Sequence, residues 1–384
     1  MNLTPRIIQN FLSIDPQEWD RLDHADNPFL SFEFLAGLES SGSVGAHVGW
    51  QPHHLALYED QKLLAFAPSY IKTNSHGEFV FDWAWADAYQ RHGLAYYPKL
   101  LTAVPYSPVT GPRLLAQQGH PEQERLKKEL IQFATKECEQ AGLSSWHCNF
   151  VSRADHRVLE DTNLLNRSDW QFHWRNRDYA TFEDFLAGLR SRKRKNIRRE
   201  RLAVAGAGME FEWKTGCEIN SQDTQFIHDC YTSTFDAYGN HPVLNEQFFT
   251  DLARGLGERF LVCMASRDGE RLAMSLFLRG GGRLYGRYWG CLQEIHGLHF
   301  ETAYYQGIEY CIRNGIEVFE SGAQGEHKVS RGFMPEKTRS YHLIRHEAFR
   351  GAIAEFLNRE SAWLDDYHAE LLQHSPYRAD DSRG

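Results

Sequence analysis

Residues Val318 to Lys337, VFESGAQGEHKVSRGFMPEK, run from an apolar pair through glycines into a knot of charge. Val318 and Phe319 look like the end of a buried strand. A bend follows at Gly322 and Gly325, carrying Glu320, Ser321 and Gln324, and two charged turns hold Glu326, His327, Lys328 and Arg331. Pro335 stops the segment. Glycine at a strand's end lets backbone amides approach a ligand without an intervening Cβ. Sites in α/β proteins sit beyond the carboxyl ends of strands, and here an acid or base, two cations and a carboxylate meet there. The plain alternative is a solvated loop and an amphipathic turn held by Glu–Lys pairs.

Outward from this stretch the second half of the chain alternates elements clearly. A strand over Met209 to Lys214 precedes helices near Thr224 to Ala237 and Asn245 to Leu256. Strands follow at Arg259 to Ala265, Arg271 to Arg279 and Arg283 to Gly290, and the Gly280–Gly282 run reads as a hairpin turn. A helix from about Phe300 to Arg313 leads into the strand ending at Glu320. The first half reads in the same order. A strand at Arg6 to Ile14 is followed by a helix capped by Asp15-Pro16 and a second helix after Pro28. The segments His53 to Tyr58, Lys62 to Ile71 and Glu78 to Trp85 read as an antiparallel meander. A short helix is expected around Tyr97 to Leu101, then a proline-directed extended path. Pro121 to Ala141 is an amphipathic helix ended by Gly142, and Leu143 to Phe150 is a strand. Trp85 lies seven residues before His92-Gly93-Leu94, and Trp289 seven before His296-Gly297-Leu298. With the shared order, this reads as an internal duplication and two related α/β domains.

The chain has 384 residues, room for two cores of ordinary size. A net charge of −9 excludes a protein wrapped as a whole in nucleic acid, though not a local basic patch. Seven scattered Cys without a CxxC favour reduced thiols and a cytoplasmic location over disulfides or structural zinc. No secretory signal or membrane-length apolar run is evident, and no metal, Walker or dinucleotide motif is present.

Several pieces resemble the FemAB-like family of the GNAT acyl-CoA N-acyltransferase superfamily, often labelled peptidoglycan biosynthesis/recognition. They are FDWAWADAY (Phe81 to Tyr89), YYPKLLTAVPYSPVTGPRLL, SWHCNF, QFHWRN (Gln171 to Asn176), SRKRKNIRRER and ESGAQGEHKVSRGF. The resemblance implies two tandem GNAT-like domains, each a mixed, mostly antiparallel sheet flanked by helices. On that basis 1–151 and 209–350 are the domains, 152–208 a linker with strand exchange and a basic helix, and 351–384 a helix and tail. It also implies transfer of an acyl or aminoacyl group to an amine of a cell-envelope or peptide-like acceptor, without metal or tightly bound cofactor. The rivals are an acyl-CoA enzyme acting on a small amine and a non-catalytic precursor-binding protein. The donor stays open between acyl-CoA and aminoacyl-tRNA. GCLQEIHGLHFET, where a CoA enzyme would carry its phosphate loop, lacks the second glycine that backbone cradling of a pyrophosphate needs. Oligomeric state is not legible.

Amide formation needs a proton acceptor and donors facing the developing oxyanion. His327 and Glu326 are candidate acceptors, Lys328 and Arg331 candidate anion or oxyanion groups, and Glu320 a candidate to orient the amine. A hydrogen-bonded structural role is the alternative for His327. Asp82, Trp83, Trp85 and Tyr89 form an aromatic stretch around carboxylate, with Tyr288 and Trp289 expected on the corresponding strand of the second copy. These would face one another across an interdomain groove holding a peptide- or sugar-like amine, although alternation alone would bury half of them. Tyr97, His299, Glu301, Ser321 and Gln324 complete the substrate candidates, and Lys99 and Arg113 are further phosphate candidates. Arg190 to Arg201 holds eight basic residues and one acid. Arg194, Lys195, Arg198 and Arg201 would form one cationic stripe for a diphosphate, anionic lipid or tRNA, unless the run is only a solvated face.

Overall fold

The computed structural model describes residues 2–237, 239–322 and 325–378. The chain forms two compact units, Met1–Trp170 with Lys337–Asp366 and Gln171–Glu336 with Tyr367–Gly384. The stretch 152–208 is therefore shared, dividing at Trp170/Gln171. Each unit is a mixed, mostly antiparallel sheet system flanked by helices, the tandem GNAT-like arrangement.

Unit 1 contains β1 (Thr4–Ile8), β2 (Trp50–Pro52), β3 (His54–Glu59), β4 (Lys62–Ala67), β5 (Ser69–Lys72), β6 (Lys99–Thr102), β7 (Leu115–Ala116) and β8 (Ser145–Cys148). β1, β3, β4 and β7 pair antiparallel. β5 pairs antiparallel with β2 and β6, and β6 runs parallel to β8. The helix Gln123–Gln140 buries Leu126, Leu130, Ala134 and Cys138, at four-residue spacing, against Leu55, Leu57, Trp146 and their neighbours.

Four local expectations are corrected. The strand expected over Arg6 to Ile14 ends at Ile8 and gives way to a 3₁₀ turn at Phe11–Ser13. The strand expected over Lys62 to Ile71 is broken at Pro68, which cannot donate to a ladder, and its halves join different sheets. The strand expected through Trp85 is instead a helix, Trp83–Arg91. Its Trp85 and Tyr89, four apart, pack with Tyr96, Ile344, Ile353 and Leu357. The helix expected at Tyr97 to Leu101 is β6, whose residues are all buried, with Leu100 and Leu101 between Lys99 and Thr102, and which runs beside a parallel neighbour. Trp85 on a helix therefore has no structural counterpart in Trp289, which lies on a strand, so the pairing of these two copies is corrected too.

Unit 2 follows its expected order closely. β9 (Leu165–Arg175) enters from unit 1, followed by β10 (Glu210–Thr215), β11 (Phe260–Arg267), β12 (Glu270–Gly280), β13 (Arg283–Cys291), β14 (Val318–Glu320) and β15 (Met334–Ile344), which returns to unit 1. β10 to β13 are antiparallel neighbours, β14 runs parallel to β13, and Glu320 of β14 lies opposite His173 of β9. In unit 1, Tyr341 to Ile344 of β15 pair antiparallel with β8. The chain is helical from Leu298–Phe300 through a π turn, Glu301–Tyr305, to Gln306–Arg313. Tyr304, Tyr305 and Ile308 of that stretch pack with Trp174, Phe277, Phe319 and Phe333.

The helix Ser221–Ala237 lies directly on β13. Thr234 Oγ1 donates to the Trp289 carbonyl at 2.7 Å and Ser233 Oγ to that of Cys291 at 3.0 Å. A Cβ on the intervening Gly290 would fall 1.8 Å from the Cys230 carbonyl oxygen, so only glycine permits this approach. Gly290→Ala should cost about 1–3 kcal/mol, at the upper end because a backbone atom must move. Urea unfolding checks it, and a loss under about 0.5 kcal/mol would show that the helix does not sit this close.

Candidate functional site

The segment after β14 folds back on itself. Its 3₁₀ turn, Glu326–Arg331, starts at Gly325, where φ is 119° and a Cβ would stand 2.6 Å from the His327 ring. Glycine there lets the imidazole lie over its own backbone. Lys328 is buried and donates from Nζ to the carbonyls of Ser321 and Gly322, both at 2.9 Å. No carboxylate pairs with it among the described residues, and burial pushes its ammonium down to about 7. His327 Nε2 shares a 3.0 Å hydrogen bond with the Tyr304 hydroxyl. Burial, then Arg331 and Lys328, lower its pKa, so the ring is neutral at physiological pH. Glu326 is exposed and accepts from Tyr367 at 2.7 Å.

Arg331 does not present an open anion site, contrary to expectation. It is buried over the Phe300 ring at 3.5 Å and ion-paired with Glu200 at 3.0 Å, while its Nε donates to Tyr305 at 3.0 Å. The group instead braces the segment. Glu320 is buried with Oε1 on Arg283 at 2.7 Å, and Oε2 has no hydrogen-bond donor. Burial raises its pKa to about 7 against the pull of Arg283. Facing it, His173 is held down to about 3 by burial and then by Arg283 and Arg175. Ser321 Oγ also has no partner among the described residues. Gln324 lies outside the described residues.

A cavity of about 350 Å³ borders this region, lined by Trp289, Glu294, His296, His299 and Phe300 among others. Trp289 donates from its indole to Thr302 at 2.9 Å, which fixes the ring. His299 packs on Trp289 with centroids 4.7 Å apart, and burial, followed by His327, brings its pKa down to about 4. The Phe300 and His327 rings are 5.7 Å apart. Tyr288 packs instead against Tyr231 and Phe249, away from this set. Glu301 is buried and committed to Arg201 at 3.0 Å and to Gln306 at 2.9 Å, so it is a structural group rather than a substrate ligand.

The basic helix, Ser191–Gly206, docks through a narrow stripe, Ile197 and Val204. Arg201 turns inward to Glu301 and Glu309, and Arg198 pairs with Glu183. The single four-residue cationic stripe is thereby divided. Arg194 and Lys195 have no acidic partner among the described residues, nor do Arg192, Lys193 and Arg199.

In unit 1 the candidates fall into two groups. Asp82, Tyr97 and Lys99 come together in a buried network. Lys99 Nζ contacts Asp82, Glu78 at 2.8 Å and Ser75 at 3.1 Å. Ser75 and Tyr96 both donate to Asp82 at 2.5 Å, and Tyr97 shares a 2.6 Å bond with Ser75. Burial works against charge on Lys99, yet Glu78 and Asp82 outweigh it and raise its pKa. Behind them His147 and His342 place their Nδ1 atoms 2.6 Å apart. Trp85 and Tyr89 are core residues, whereas Trp83 is exposed beside Asp87 and Tyr97 along a cavity of about 660 Å³. Arg113 is corrected as a phosphate candidate, because it is fully buried and its guanidinium donates to the carbonyls of Asn149, Pro112 and Val109.

The sequence profile of a family described as FemAB-like, peptidoglycan biosynthesis/recognition, matches residues 10–379. The chain belongs to the FemAB-like family. No curated protein matches it. Among solved structures, FemX is similar at 11% identity over 92% of this chain and 100% of that one, with a TM-score of 0.55. The C-terminal domain of a putative lysylphosphatidylglycerol synthetase from Agrobacterium fabrum is similar at 9% identity over 89% and 96%, with a TM-score of 0.52. Both likenesses concern the fold.

In this FemAB-like chain, sequence reading missed Glu78, Ser75, His147, His342 and Tyr304. They are scattered, and nothing local marks a buried ionic partner. Among the described residues no helix is long and apolar enough to cross a membrane, and no group of three or more His, Cys, Asp or Glu is placed to hold a metal ion. Removing Lys99 should strand Asp82 and Glu78 in the interior. Lys99→Met is expected to cost about 3–5 kcal/mol in denaturant unfolding. A loss under about 1 kcal/mol would mean that water reaches the two carboxylates.

Proposed function

We propose that this FemAB-like protein transfers an acyl or aminoacyl group to an amine of a cell-envelope or peptide-like acceptor, with the chemistry on the Glu320 to Arg331 segment. The observation that carries the reading is the adjacency of a neutral imidazole, His327, and a lysine desolvated to about 7, Lys328. Perturbed groups of complementary kind on one turn are what acyl transfer requires. The family's description supports an envelope acceptor.

In this reading the acceptor amine attacks the donor carbonyl, forming a C–N bond. His327 takes the amine proton, with Glu326 as the alternative acceptor, and Tyr304 holds the ring through its hydroxyl. The charged form of Lys328 faces the oxyanion, its position fixed by the two carbonyls it already contacts. Collapse breaks the bond to the leaving group, which recovers the proton from His327. The aromatic cavity of Trp289, His299 and Phe300 would seat the acceptor next to this turn. Glu320 and Arg331 position the segment. No tightly bound cofactor is invoked. The donor arrives as a co-substrate, and aminoacyl-tRNA is favoured over acyl-CoA because Arg194, Lys195 and their neighbours leave unneutralised cations on an exposed helix face.

The pH dependence has a definite sign. His327 is a base only above its lowered pKa, so kcat/KM should rise with pH along an acid limb lying below the ordinary histidine range. Lys328 loses its charge as pH rises through about 7, so kcat/KM should fall on the alkaline side. His327→Ala should cost roughly 10²–10⁴-fold in kcat, and Lys328→Met roughly 10²–10³-fold. A Lys328→Arg enzyme should keep the acid limb and lose the alkaline one. A transfer assay with unchanged rates in His327→Ala would remove this segment from the chemistry.

The donor is tested by tRNA binding against salt. Replacing Arg194 and Lys195 together by Ala should flatten the log–log slope by about two, one for each lost phosphate contact. An unaltered slope would assign the cationic face to solvent and return acyl-CoA as donor.

A further inference from the structure

Unit 1 holds a second polar cavity, of about 340 Å³, lined by none of the candidate site residues described above. Lys337, Arg339 and Tyr341 reach it from alternate positions of β15, and therefore from one face of the strand. Asn166 and Ser168 reach it in the same manner from β9, and His156 and Glu160 come from the helix Arg153–Leu159 and its C-cap. The volume is at the small end of the range for ligand sites.

Two ionised groups of this cavity, Glu160 and Arg339, have no counter-ion among the described residues, and Glu160 faces a ring N–H instead. Burial, then Arg339, lowers the pKa of His156 and keeps the ring neutral at physiological pH. Tyr341 contacts Nδ1 of that ring at 2.6 Å, and Nε2 lies 3.4 Å from Glu160. One tautomer satisfies both contacts: the tyrosine donates to Nδ1 and the Nε2–H faces Glu160. Glu160 is thereby provided for, and Lys337 is paired with Asp365 at 3.3 Å. Arg339 is half-buried and its guanidinium has no partner among the described residues. A half-buried fork of donors with no counter-ion is open to an anionic ligand.

We propose that this pocket binds a phosphate group through Arg339. A planar carboxylate would be satisfied by the fork alone. Here the Ser361 hydroxyl lines the same cavity as the fork, a donor for the further oxygen of a tetrahedral oxyanion. The Ser168, Asn166 and Tyr341 side chains are already bonded to one another: Ser168 donates to the Asn166 carbonyl oxygen at 3.3 Å, Asn166 bonds the Tyr341 hydroxyl, and Tyr341 donates to His156. The phosphate belongs either to a soluble ester or to a lipid headgroup.

The test uses the full chain and inorganic phosphate, with chloride at matched ionic strength as control. The unfolding midpoint should rise and saturate with phosphate. Arg339→Met should weaken binding about tenfold or more, and Ser168→Ala, on the cavity wall, should weaken it less. Lys328→Met should keep the full shift, so failure of the transferase reading would leave this site standing. Co-sedimentation with phosphatidylglycerol vesicles that is lost in Arg339→Met would assign the lipid source, and a phosphate shift without co-sedimentation the soluble one. No shift in the parent protein, or the same shift in both the Arg339→Met and Ser168→Ala proteins, overturns the proposal.

Discussion

An ammonium group taken out of water must be compensated or give up its proton, and the two units show both outcomes. Lys99 is enclosed with Glu78 and Asp82, and their charges hold its proton more firmly than water would. Lys328 is nearly as buried but meets only the carbonyls of Ser321 and Gly322, and its pKa drops to about 7. Dipoles can orient an ammonium group but cannot neutralise it. The first arrangement fixes a loop: the turn bearing Ser75, Glu78 and Asp82 is pinned to β6, and the Trp83–Arg91 helix starts from that anchor. The second leaves a group able to change charge near neutrality, which is of little use to stability and of much use to chemistry.

Much of the fold was legible because burial imposes periods on the sequence. Unit 2 reads in order from Met209 to Glu320 since its strands are apolar runs bounded by turn residues such as Asp268-Gly269 and Gly281-Gly282. The stretch around Trp83 was not legible for the same reason. In FDWAWADAY the aromatic residues satisfy a period of two at Phe81, Trp83 and Trp85, and a helical spacing at Trp85 and Tyr89. The contacts of Trp85 and Tyr89 with Ile344, Ile353 and Leu357, some 250 residues away in sequence, decide between them. No local signal carries that information.

The candidate site divides along a similar line. Convergence of polar residues after β14 was visible in the sequence because glycines and charges crowd into twenty positions. Which of those charges stay available was not. Arg331, Arg201, Glu301 and Arg113 all read as ligands, and each is spent on a partner distant in sequence: Glu200, Glu301, Arg201 and the Asn149 carbonyl. A charged side chain is open to a ligand only if the fold gives it no partner. Availability is a property of the folded chain alone, which is why the unpaired Arg339 was not noticed among the paired cations around it.

The perturbed groups of unit 2 are not spread evenly. Glu320, His327 and Lys328 lie within nine positions, His173 stands opposite the first, and His299 packs near the second. Desolvation is the largest cause in every case: Glu320, Lys328 and His173 are buried, while His327 is exposed. Burying such groups costs stability, and ordinary cores avoid it by using apolar residues or complete ion pairs. Unit 2 does neither here: among the described residues one Glu320 oxygen has no hydrogen-bond donor and Lys328 has no counter-ion. A chain that retains uncompensated groups at the end of a central strand, beside an aromatic cavity, gives up stability where proton transfer would need them.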